Sequence, residues 1–492
     1  MRSKITHSTH DNSPAILIAG ASGYVGGNLV PALLKEDYSV RCMARTMEKL
    51  QERNWTEAEI ISGDVMDESS LYPALQGIDI AYYLIHSMGG DGDFETRDVK
   101  AARNFAGVAA AQGVDRIIYL GGLGNPDQEL SPHLASRQKV GEILAGTGIP
   151  VTELRASIII GSGSASFEII RDLVKKLPVM VTPRWVDSQC EPIAIDNVVQ
   201  YLKKVILVPE TTGKILDIGG GEVLTYAEMM RQVGEVLGSP FVMFKVPVLT
   251  PRLSAYWLNL VTAVPMSIAY PLIEGLRNDT VCHDYRIREW IPQNLIPFSE
   301  SVRKATASDD YPLHVRWTDA SNPAIRYEQP GESMPLQDIR MRSVGASPEI
   351  LQEMINRIGG KRGWYSSDWA WQIRGAFDRL IGGVGMRRGR RHPSDIRVGD
   401  AIDFWRVIQY DPEGLLRLQA EMKLPGRAWL TFEVRETSGE KSMLRQTASF
   451  EPRGLGGYLY WYLLYPFHTL IFSRMATNIS RRAEHAENSS SG

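Results

Sequence analysis

The chain has 492 residues, of which 43% are hydrophobic. A single hydrophobic core stops growing at roughly 250 to 300 residues, so this length predicts two or three domains. The 54 basic and 57 acidic residues nearly cancel, and this balance argues against a nucleic-acid partner held by the overall charge.

The N-terminal half alternates strands with helices after a polar segment, residues 1–14, that we assign to a disordered tail. Apolar runs predict strands at Ile16–Ala19, Ser39–Met43, Ala58–Ser62, Ile78–Ile85, Arg116–Leu120 and Val151–Ile160. Helical patterns lie between them at Tyr24–Lys35, Ser69–Leu75, Phe94–Ala111 and Pro132–Ala145. This alternation predicts an α/β fold of the Rossmann type, with a doubly wound parallel sheet.

The alternation loosens after Ile160, where the loop GSGSAS at 161–166 is followed by helical patterns at Ala194–Val205 and Thr225–Leu237. We expect these segments to cap the carboxyl edge of the sheet, where the substrate of such a fold binds. The apolar stretch 247–271 contains four prolines and predicts helices over the cleft. A charged segment at 299–310 then closes a first domain that we assign to residues 15–310.

A second domain, assigned to residues 315–485, follows with a different pattern. Short β-like runs separated by turn sequences predict an antiparallel meander, with strands at Ala401–Ile408, Leu415–Met422, Ala428–Val434 and Ser442–Phe450. A helix is predicted at Pro348–Arg357 and a long closing helix at Tyr458–Ala483. We assign residues 486–492 to a second disordered tail.

The sequence GASGYVG at 20–26 lies between a short apolar strand and a helix. Gly20 permits a sharp turn, Gly23 lets the backbone approach a pyrophosphate, and Gly26 allows the helix to pack on the sheet. This context predicts a dinucleotide site. The predicted cofactor-binding residues of the turn are Gly20, Ser22, Gly23, Tyr24, Val25 and Gly26.

Arg45 stands at the end of the second predicted strand, where an acidic residue would bind the ribose 2′-hydroxyl of NAD(H) and an arginine would bind the 2′-phosphate of NADP(H). No carboxylate occurs there before Glu48. The sequence therefore favours NADP(H) over NAD(H), with Arg41 as a further phosphate contact. The alternative is a solvated arginine at a strand end.

Four elements together resemble the extended and atypical branch of the short-chain dehydrogenase/reductase superfamily over residues 14–310. They are GASGYVG, Gly63-Asp64-Val65, Leu154-Arg155 and PIAIDNV at 192–198. The resemblance implies an NAD(P)-binding Rossmann domain in which Asp64 and Val65 flank the adenine. It also implies that Leu84, Ile85 and His86 lie along the cofactor.

The chain departs from this superfamily at the proton relay. Active members use a Tyr-x-x-x-Lys pair with a Ser or Thr, because the lysine lowers the tyrosine pKa so that the phenol exchanges a proton with the carbonyl. Here the fifth strand ends YLGGLG at 119–124 and the next helix reads HLASRQKVGE at 133–142. The helix contains no tyrosine and the strand end has no Ser or Thr, so the usual proton relay is missing. Five other residues are candidates to supply the proton or polarise the carbonyl, and for each of them the alternative is a capping or surface role. His86 is the best of these candidates. The candidates are His86, His133, Ser136, Arg137 and Lys139.

Residues 359–405 mix glycine, tryptophan and arginine, and with EMKLPGRAWL and PRGLGGYLYWY they resemble a C-terminal domain family of unknown function. That family is found behind atypical short-chain dehydrogenases and is similar to START-like, helix-grip proteins that hold apolar ligands.

A cluster of basic residues lies within the same stretch. It has three interpretations: internal ion pairs, a site for an anionic ligand or membrane surface, or a nucleic-acid site. It comprises Arg387, Arg388, Arg390, Arg391 and His392.

The aromatic segment 457–472 is shorter than the about 20 residues that a spanning helix needs. It is either a buried core segment or an interfacial anchor in peripheral contact with a membrane. The three cysteines form no CxxC pair, which argues for a reducing, cytoplasmic location and against structural zinc or disulfides. No metal site is predicted.

The sequence thus predicts a cytoplasmic NADP(H)-dependent oxidoreductase that acts on a small apolar or quinone-like carbonyl compound. Two alternatives remain open. One is a non-catalytic regulator or sensor that binds NADP(H), and the other is a lipid-binding or membrane-surface module. The oligomeric state does not follow from the sequence.

Overall fold

The computed structural model describes ten stretches of the chain: 13–45, 47–51, 53, 55–86, 94–124, 129–246, 266–307, 335–380, 383–437 and 441–490. The chain forms two compact units. The first is built from residues up to 307, and the second is built mainly from residues beyond 307.

The first unit is built on thirteen strands of the described chain. They are β1 (Ala15–Ala19), β2 (Ser39–Ala44), β3 (Glu59–Ser62), β4 (Ile80–Tyr83), β5 (Arg116–Gly122), β6 (Val151–Ala156), β7 (Ile159–Ile160), β8 (Val179–Pro183), β9 (Gln189–Cys190), β10 (Ile193–Ala194), β11 (Ile215–Ile218), β12 (Leu224–Thr225) and β13 (Val242–Val246). Seven of them form a parallel sheet in the order β3-β2-β1-β4-β5-β6-β11. The strand order reverses between β1 and β4, which is where a Rossmann sheet opens a crevice for a dinucleotide.

Helices cover both faces of this sheet. They are α1 (Tyr24–Leu34), α2 (Glu48–Gln51), α3 (Glu68–Leu75), α4 (Phe94–Ala111), α5 (Pro132–Ala145), α6 (Ala165–Lys176), α7 (Ile195–Lys204), α8 (Tyr226–Leu237), α9 (Met266–Gly275), α10 (Arg286–Trp290) and α11 (Phe298–Ala307). Because side chains alternate along a strand, Ile16 and Ile18 pack with α1 and α7. Leu17 and Ala19 pack with α3, α4 and α5 on the opposite face.

The predicted doubly wound parallel sheet is confirmed, and the boundaries of α4 and α5 agree with the prediction. Two local expectations are wrong. The strand predicted at Val151–Ile160 is interrupted between β6 and β7, and α7 packs with α1 against the sheet instead of capping its edge. The charged segment after 298 contains α11, whose Phe298 and Val302 are buried.

In its described residues, the second unit has a six-stranded antiparallel sheet and three helices. The strands are β14 (Leu336–Val344), β15 (Ala401–Ile402), β16 (Trp405–Asp411), β17 (Leu415–Ala420), β18 (Gly426–Thr437) and β19 (Lys441–Pro452), in the order β14-β19-β18-β17-β16-β15. The helices are α12 (Pro348–Asn356), α13 (Asp368–Leu380) and α14 (Gly454–Ser490). Aromatic side chains that include Trp364, Trp371 and Phe472 fill the core between sheet and helices.

The predicted meander is confirmed, but the sequence analysis missed β14, which pairs along its whole length with β19. The closing helix is longer than predicted and includes residues 486–490, which we had assigned to a tail. The helix extends beyond its predicted end because its inner face still packs against the core there. Ile479 and Ala483 are buried, and Ala486 packs against the same core. Residues 1–12, most of 247–271, and residues 308–334, which span the predicted domain boundary, lie outside the described residues.

Candidate cofactor and catalytic site

The glycine turn after β1 has the geometry of a phosphate cradle. Gly20 has a left-handed backbone (φ +99°), and the Gly23 amide donates to the Gly20 carbonyl at 3.0 Å. A Cβ at Gly26 would lie 2.3 Å from the Gly20 carbonyl oxygen. Because Gly23 caps α1 without a side-chain hydrogen bond, the first-turn amides of the helix face outward as anion donors. The turn therefore fits a pyrophosphate.

The residues after β4 lie directly beside this turn. The Leu84 amide donates to the Ala19 carbonyl at 2.9 Å, and a Cβ at Gly20 would lie 2.9 Å from the Leu84 carbonyl oxygen. Leu84, Ile85 and His86 are half-buried. The fold thus brings the predicted turn and the predicted cofactor-lining residues together.

The residues after β3 form a fixed turn at the same edge of the sheet. The Asp64 carboxylate accepts from the Met66 amide at 2.9 Å, and Asn104 donates to the Val65 carbonyl at 2.9 Å. These bonds hold Asp64 and the buried Val65 at the carboxyl end of β3, which is the adenine side of a Rossmann site.

Arginines near the end of β2 have different roles. Arg45 is exposed at the carboxyl end of the strand, as a 2′-phosphate contact requires. The expectation that Arg41 assists it is wrong. Arg41 lies opposite Glu59 in the strand register, pairs with it at 2.7 Å, and donates to the Ala74 carbonyl at the end of α3.

Arg53 is a residue of this region that the sequence analysis missed. Its guanidinium donates to the Ser22 carbonyl of the glycine turn at 3.4 Å and lies over the Trp55 ring at 5.6 Å. A second positive charge therefore stands between the turn and β3. No short motif marks Arg53, because its position depends on the fold of the segment between β2 and β3.

A cluster of titratable groups lies between the end of β4 and the helices α4 and α5. The rings of His86 and His133 are 4.8 Å apart, and His86 Nδ1 lies 3.4 Å from the Asp98 carboxylate. Arg137 donates to the Leu120 carbonyl. The cluster therefore joins the end of β4 to α4 and α5, and Asp98 is a member that the sequence analysis did not identify.

Both histidines are held in the neutral form. Burial, and then the positive charge of Arg137, lower the pKa of His86, and Asp98 opposes this effect only in part. Burial lowers the pKa of His133 well below its usual value, and His86 and Arg137 add to this effect. His86 Nδ1 faces the Asp98 carboxylate at 3.4 Å, and the buried Nε2 has no hydrogen-bond partner among the described residues. Nε2 is therefore the ring nitrogen that remains for a ligand.

Other sequence candidates fall outside this cluster or support it. Lys139 is exposed and pairs with Glu142 at 2.8 Å, so its position does not suit a role in the cleft. Ser136 is buried and its hydroxyl lies 3.4 Å from Asp98, which makes it a support for that carboxylate. In the standard relay tyrosine and lysine are four residues apart, and here His133 and Arg137 have that spacing on α5.

The Tyr24 side chain turns away from the phosphate cradle. Its hydroxyl is buried without a hydrogen-bond partner among the described residues, and a Cβ at Gly161 would lie 2.3 Å from it. Burial raises the pKa of this phenol, and the charges of Asp196 and Glu168 raise it further. The Ser162 hydroxyl next to Gly161 also has no partner in the described part of the chain. Tyr24 thus faces the loop after β7.

The two neutral histidines predict an acid-sensitive fold. Their pKa values are lowered in the folded state relative to about 6.5 in the unfolded chain, so the unfolded chain binds more protons as the pH falls through that value. Stability is therefore full above about pH 6.5 and decreases below it. We expect the thermal unfolding midpoint to fall less steeply below this pH in His133→Gln than in the natural chain. An equally steep fall would contradict the expectation.

The fold and the glycine turn define the first unit as a Rossmann-type NAD(P)H-binding domain. Residues 20–160 match the family described as NAD(P)H-binding. Residues 332–475 match a protein family of unknown function, DUF2867. The second match covers the whole antiparallel sheet, α12, α13 and part of α14.

Curated relatives match somewhat less than half of the chain and include a reductase. The chain is 22% identical to the photosystem II assembly factor Ycf39 of Cyanophora paradoxa, over 48% of this chain and 72% of the relative. It is 26% identical to an uncharacterized chloroplastic protein of Arabidopsis thaliana, over 41% and 68%. It is 22% identical to the chloroplastic divinyl chlorophyllide a 8-vinyl-reductase of Cucumis sativus, over 47% and 59%.

Solved structures share the fold of the first unit. The triphenylmethane reductase of Citrobacter sp., complexed with NADP(H), superposes with a TM-score of 0.50 at 20% identity, over 59% of this chain and all of that one. A nucleoside-diphosphate-sugar epimerase of Staphylococcus aureus gives the same TM-score at 14% identity, over 59% and 99%. The similarity establishes the α/β Rossmann fold.

The basic cluster of the second unit is engaged internally where its side chains are described. Arg391 pairs with Asp400 at 2.9 Å and with Asp395 at 2.8 Å. Arg390 donates to the carbonyls of Ile358 and His392, and burial lowers its pKa to about 10. Of the three interpretations, internal pairing suits these two arginines. The side chains of residues 387 and 388 lie outside the described part of the chain.

Proposed function

We propose that the protein is an NADP(H)-dependent reductase of carbonyl compounds whose proton donor is the His86–His133 pair. The observation that carries the proposal is the position of this pair. It lies after β4, next to the glycine turn, and His133 and Arg137 have the spacing of the usual tyrosine and lysine. Bound NADPH would supply the hydride.

The residues of the cluster have separate roles in this proposal. Residues four apart lie on one face of a helix, so His133 and Arg137 address the same side of α5. At neutral pH both rings are neutral, so the pair would first take up a proton from solvent. A histidine whose pKa is lowered is a strong donor once it is protonated, and it would pass that proton to the carbonyl oxygen as hydride from bound NADPH reached the carbon. Asp98 orients His86, and Arg137 adds positive charge where negative charge develops.

The proposed substrate is an apolar or quinone-like carbonyl compound. The second unit supports this class because a long helix, α14, packs on a six-stranded antiparallel sheet, as in helix-grip proteins that hold apolar ligands. The core between them is rich in aromatic side chains. The proposed cofactor site does not depend on this choice of substrate class.

The test is a titration of the purified chain with NADPH and with NADH, followed by assays with a panel of quinones and aldehydes. Nicotinamide absorbance reports turnover, and intrinsic fluorescence reports binding. We expect tight NADPH binding and oxidation of NADPH with at least one member of the panel. Absence of NADPH binding would contradict the proposal.

A second candidate function is favoured by the absence of a tyrosine from α5. In this alternative the protein binds NADP(H) as a regulator or sensor and performs no chemistry. It predicts tight NADPH binding without turnover of any compound in the panel. It also predicts that substitution of His133 leaves NADPH binding unchanged, since the histidine would then have no substrate.

Arg45→Asp is expected to weaken NADPH binding by at least about tenfold and to leave NADH binding unchanged. A charge-assisted hydrogen bond to a phosphate contributes about 1.5–3 kcal/mol, and 1.4 kcal/mol corresponds to a factor of ten. Isothermal titration with both cofactors measures the effect. The matched control is Arg435→Asp, which changes an exposed arginine of the second unit. Equal losses for both cofactors would show that Arg45 does not contact the 2′-phosphate.

A further inference from the structure

The first half of α14 is apolar on both of its faces. Trp461 stacks on Phe450 of the sheet with ring centroids 5.7 Å apart, and Phe472 lies in the core. On the opposite face Leu459 is 70% exposed, Leu463 69% and Phe467 63%. A helix that is hydrophobic all round normally has apolar partners all round. In the part of the chain that the structure describes, this half of α14 has the sheet on one side only.

The second half of the same helix provides an internal comparison. Its inner face continues with Met475 and Ile479, both fully buried. Its outer face is polar, with Arg474, Arg481 and His485 exposed. The change from an apolar to a charged outer face occurs within one continuous helix. The apolar outer face of residues 455–470 is therefore a local feature and not a general property of α14.

Helix α13 extends this apolar surface. Trp369, Ile373 and Phe377 are exposed, and their spacing of four residues places them on one face of α13. Arg374 lies over the Tyr460 ring at 5.2 Å, which joins α13 to α14. We call the combined surface the aromatic face. It consists of Trp369, Ile373, Phe377, Leu455, Leu459, Tyr462, Leu463, Phe467 and Leu470.

Charge distinguishes this surface from an ordinary protein interface. Residues 454–473 contain no Asp, Glu, Lys or Arg, and an arginine stands at each end, Arg453 and Arg474. Both are exposed. Of the two acidic residues of α13, Asp378 is buried and accepts from the amides of Gly385 and Lys423. Asp368, next to Trp369, is exposed and accepts from the Trp364 amide at 2.8 Å. The part of the surface that α14 forms is therefore apolar at its centre and positive at its ends.

We propose that the aromatic face binds the surface of an anionic lipid bilayer, with α14 lying in the plane of the interface. An apolar helical face with tryptophan and tyrosine and with flanking arginines suits the boundary between headgroups and acyl chains. Among the described residues, no helix is long and apolar enough to cross a membrane. The inner face of α14 also remains on its own sheet. Several large apolar side chains exposed on neighbouring helices mark an interaction site.

Flotation of the full chain with vesicles tests the proposal. Vesicles of phosphatidylcholine with phosphatidylglycerol are compared with vesicles of phosphatidylcholine alone. We expect stronger binding to the anionic vesicles, and a loss of at least about tenfold in the variant L459Q/L463Q/F467Q, because each side chain contributes about 1.5–3 kcal/mol when fully buried. The variant changes exposed positions, and Gln is a good helix former, so the fold is retained.

Met341→Gln is the matched control, because it removes an exposed apolar side chain from β14 in the same unit. We expect it to bind vesicles like the natural chain. The proposal is overturned if the natural chain does not bind anionic vesicles, or if the triple variant binds as well as Met341→Gln. Analytical ultracentrifugation tests the competing interpretation, in which a second copy of the chain covers the aromatic face. A dimer that the triple variant dissociates, without vesicle binding, would assign the face to a second copy of the chain. Neither result depends on the proposed reductase activity.

Discussion

Gly26→Ala is expected to abolish measurable NADPH binding. The new Cβ would lie 2.3 Å from the Gly20 carbonyl oxygen and 2.9 Å from the Ala21 Cα, and both of these atoms belong to the backbone. Relief of this overlap requires α1 to move away from the turn, which removes the helix amides from the pyrophosphate. Titration with NADPH, monitored by fluorescence, measures the loss.

Gly107→Ala separates this effect from the general effect of alanine in a helix. Gly107 is exposed in α4, and no described atom lies within 4 Å of a Cβ placed there. Alanine should therefore stabilise the chain by about 0.5–1 kcal/mol and leave NADPH binding unchanged. If Gly26→Ala behaved like Gly107→Ala, the turn after β1 would not be the cofactor site.

His133→Phe is expected to lower kcat by about 100-fold or more while NADPH binds as before. Phenylalanine keeps the aromatic contact with His86 but has no proton to donate or accept, and general acid catalysis contributes about 10² to 10⁴ in rate. Steady-state assays with the best substrate of the panel measure kcat, and a separate titration measures NADPH affinity. Unchanged turnover would remove His133 from the reaction.

His283→Gln is the control for this experiment. His283 is exposed between α9 and α10, so its loss should change neither kcat nor cofactor affinity.

Arg137→Lys tests Arg137, which stands four residues after His133 on α5. Because Arg137 donates to the Leu120 carbonyl and lies over the Tyr119 ring at 5.0 Å, lysine should keep the charge but lose this placement. We expect an intermediate kcat.

The sequence predicted the strands and helices of the first unit well because each has a strong local signal. The glycine turn, the apolar strands and the flanking helices lie within short windows, so α4 and α5 were placed at their observed boundaries. Asp98 and Arg53 were missed for the opposite reason. Each reaches the site from an element whose own pattern shows only a helix face or a connecting segment.

The segment 457–472 shows a similar limit. Its composition was compatible with a buried segment and with an interfacial anchor, because periodicity in an all-apolar stretch does not distinguish inner from outer side chains. The structure places Trp461 against the sheet and Leu463 toward solvent on the same helix. The buried description therefore applies to the inner face of α14, and the interfacial anchor stays a proposal for its exposed outer face.

The sequence by itself determined the glycine turn after the first strand, the alternation of strands and helices that makes the parallel sheet, and the antiparallel character of the second unit. These features depend on residue spacing, which a chain carries locally. Only the tertiary structure decided that Arg41 pairs with Glu59 and that His86 lies beside His133 and Asp98. Such contacts depend on strand register and helix packing between residues that are distant in the chain.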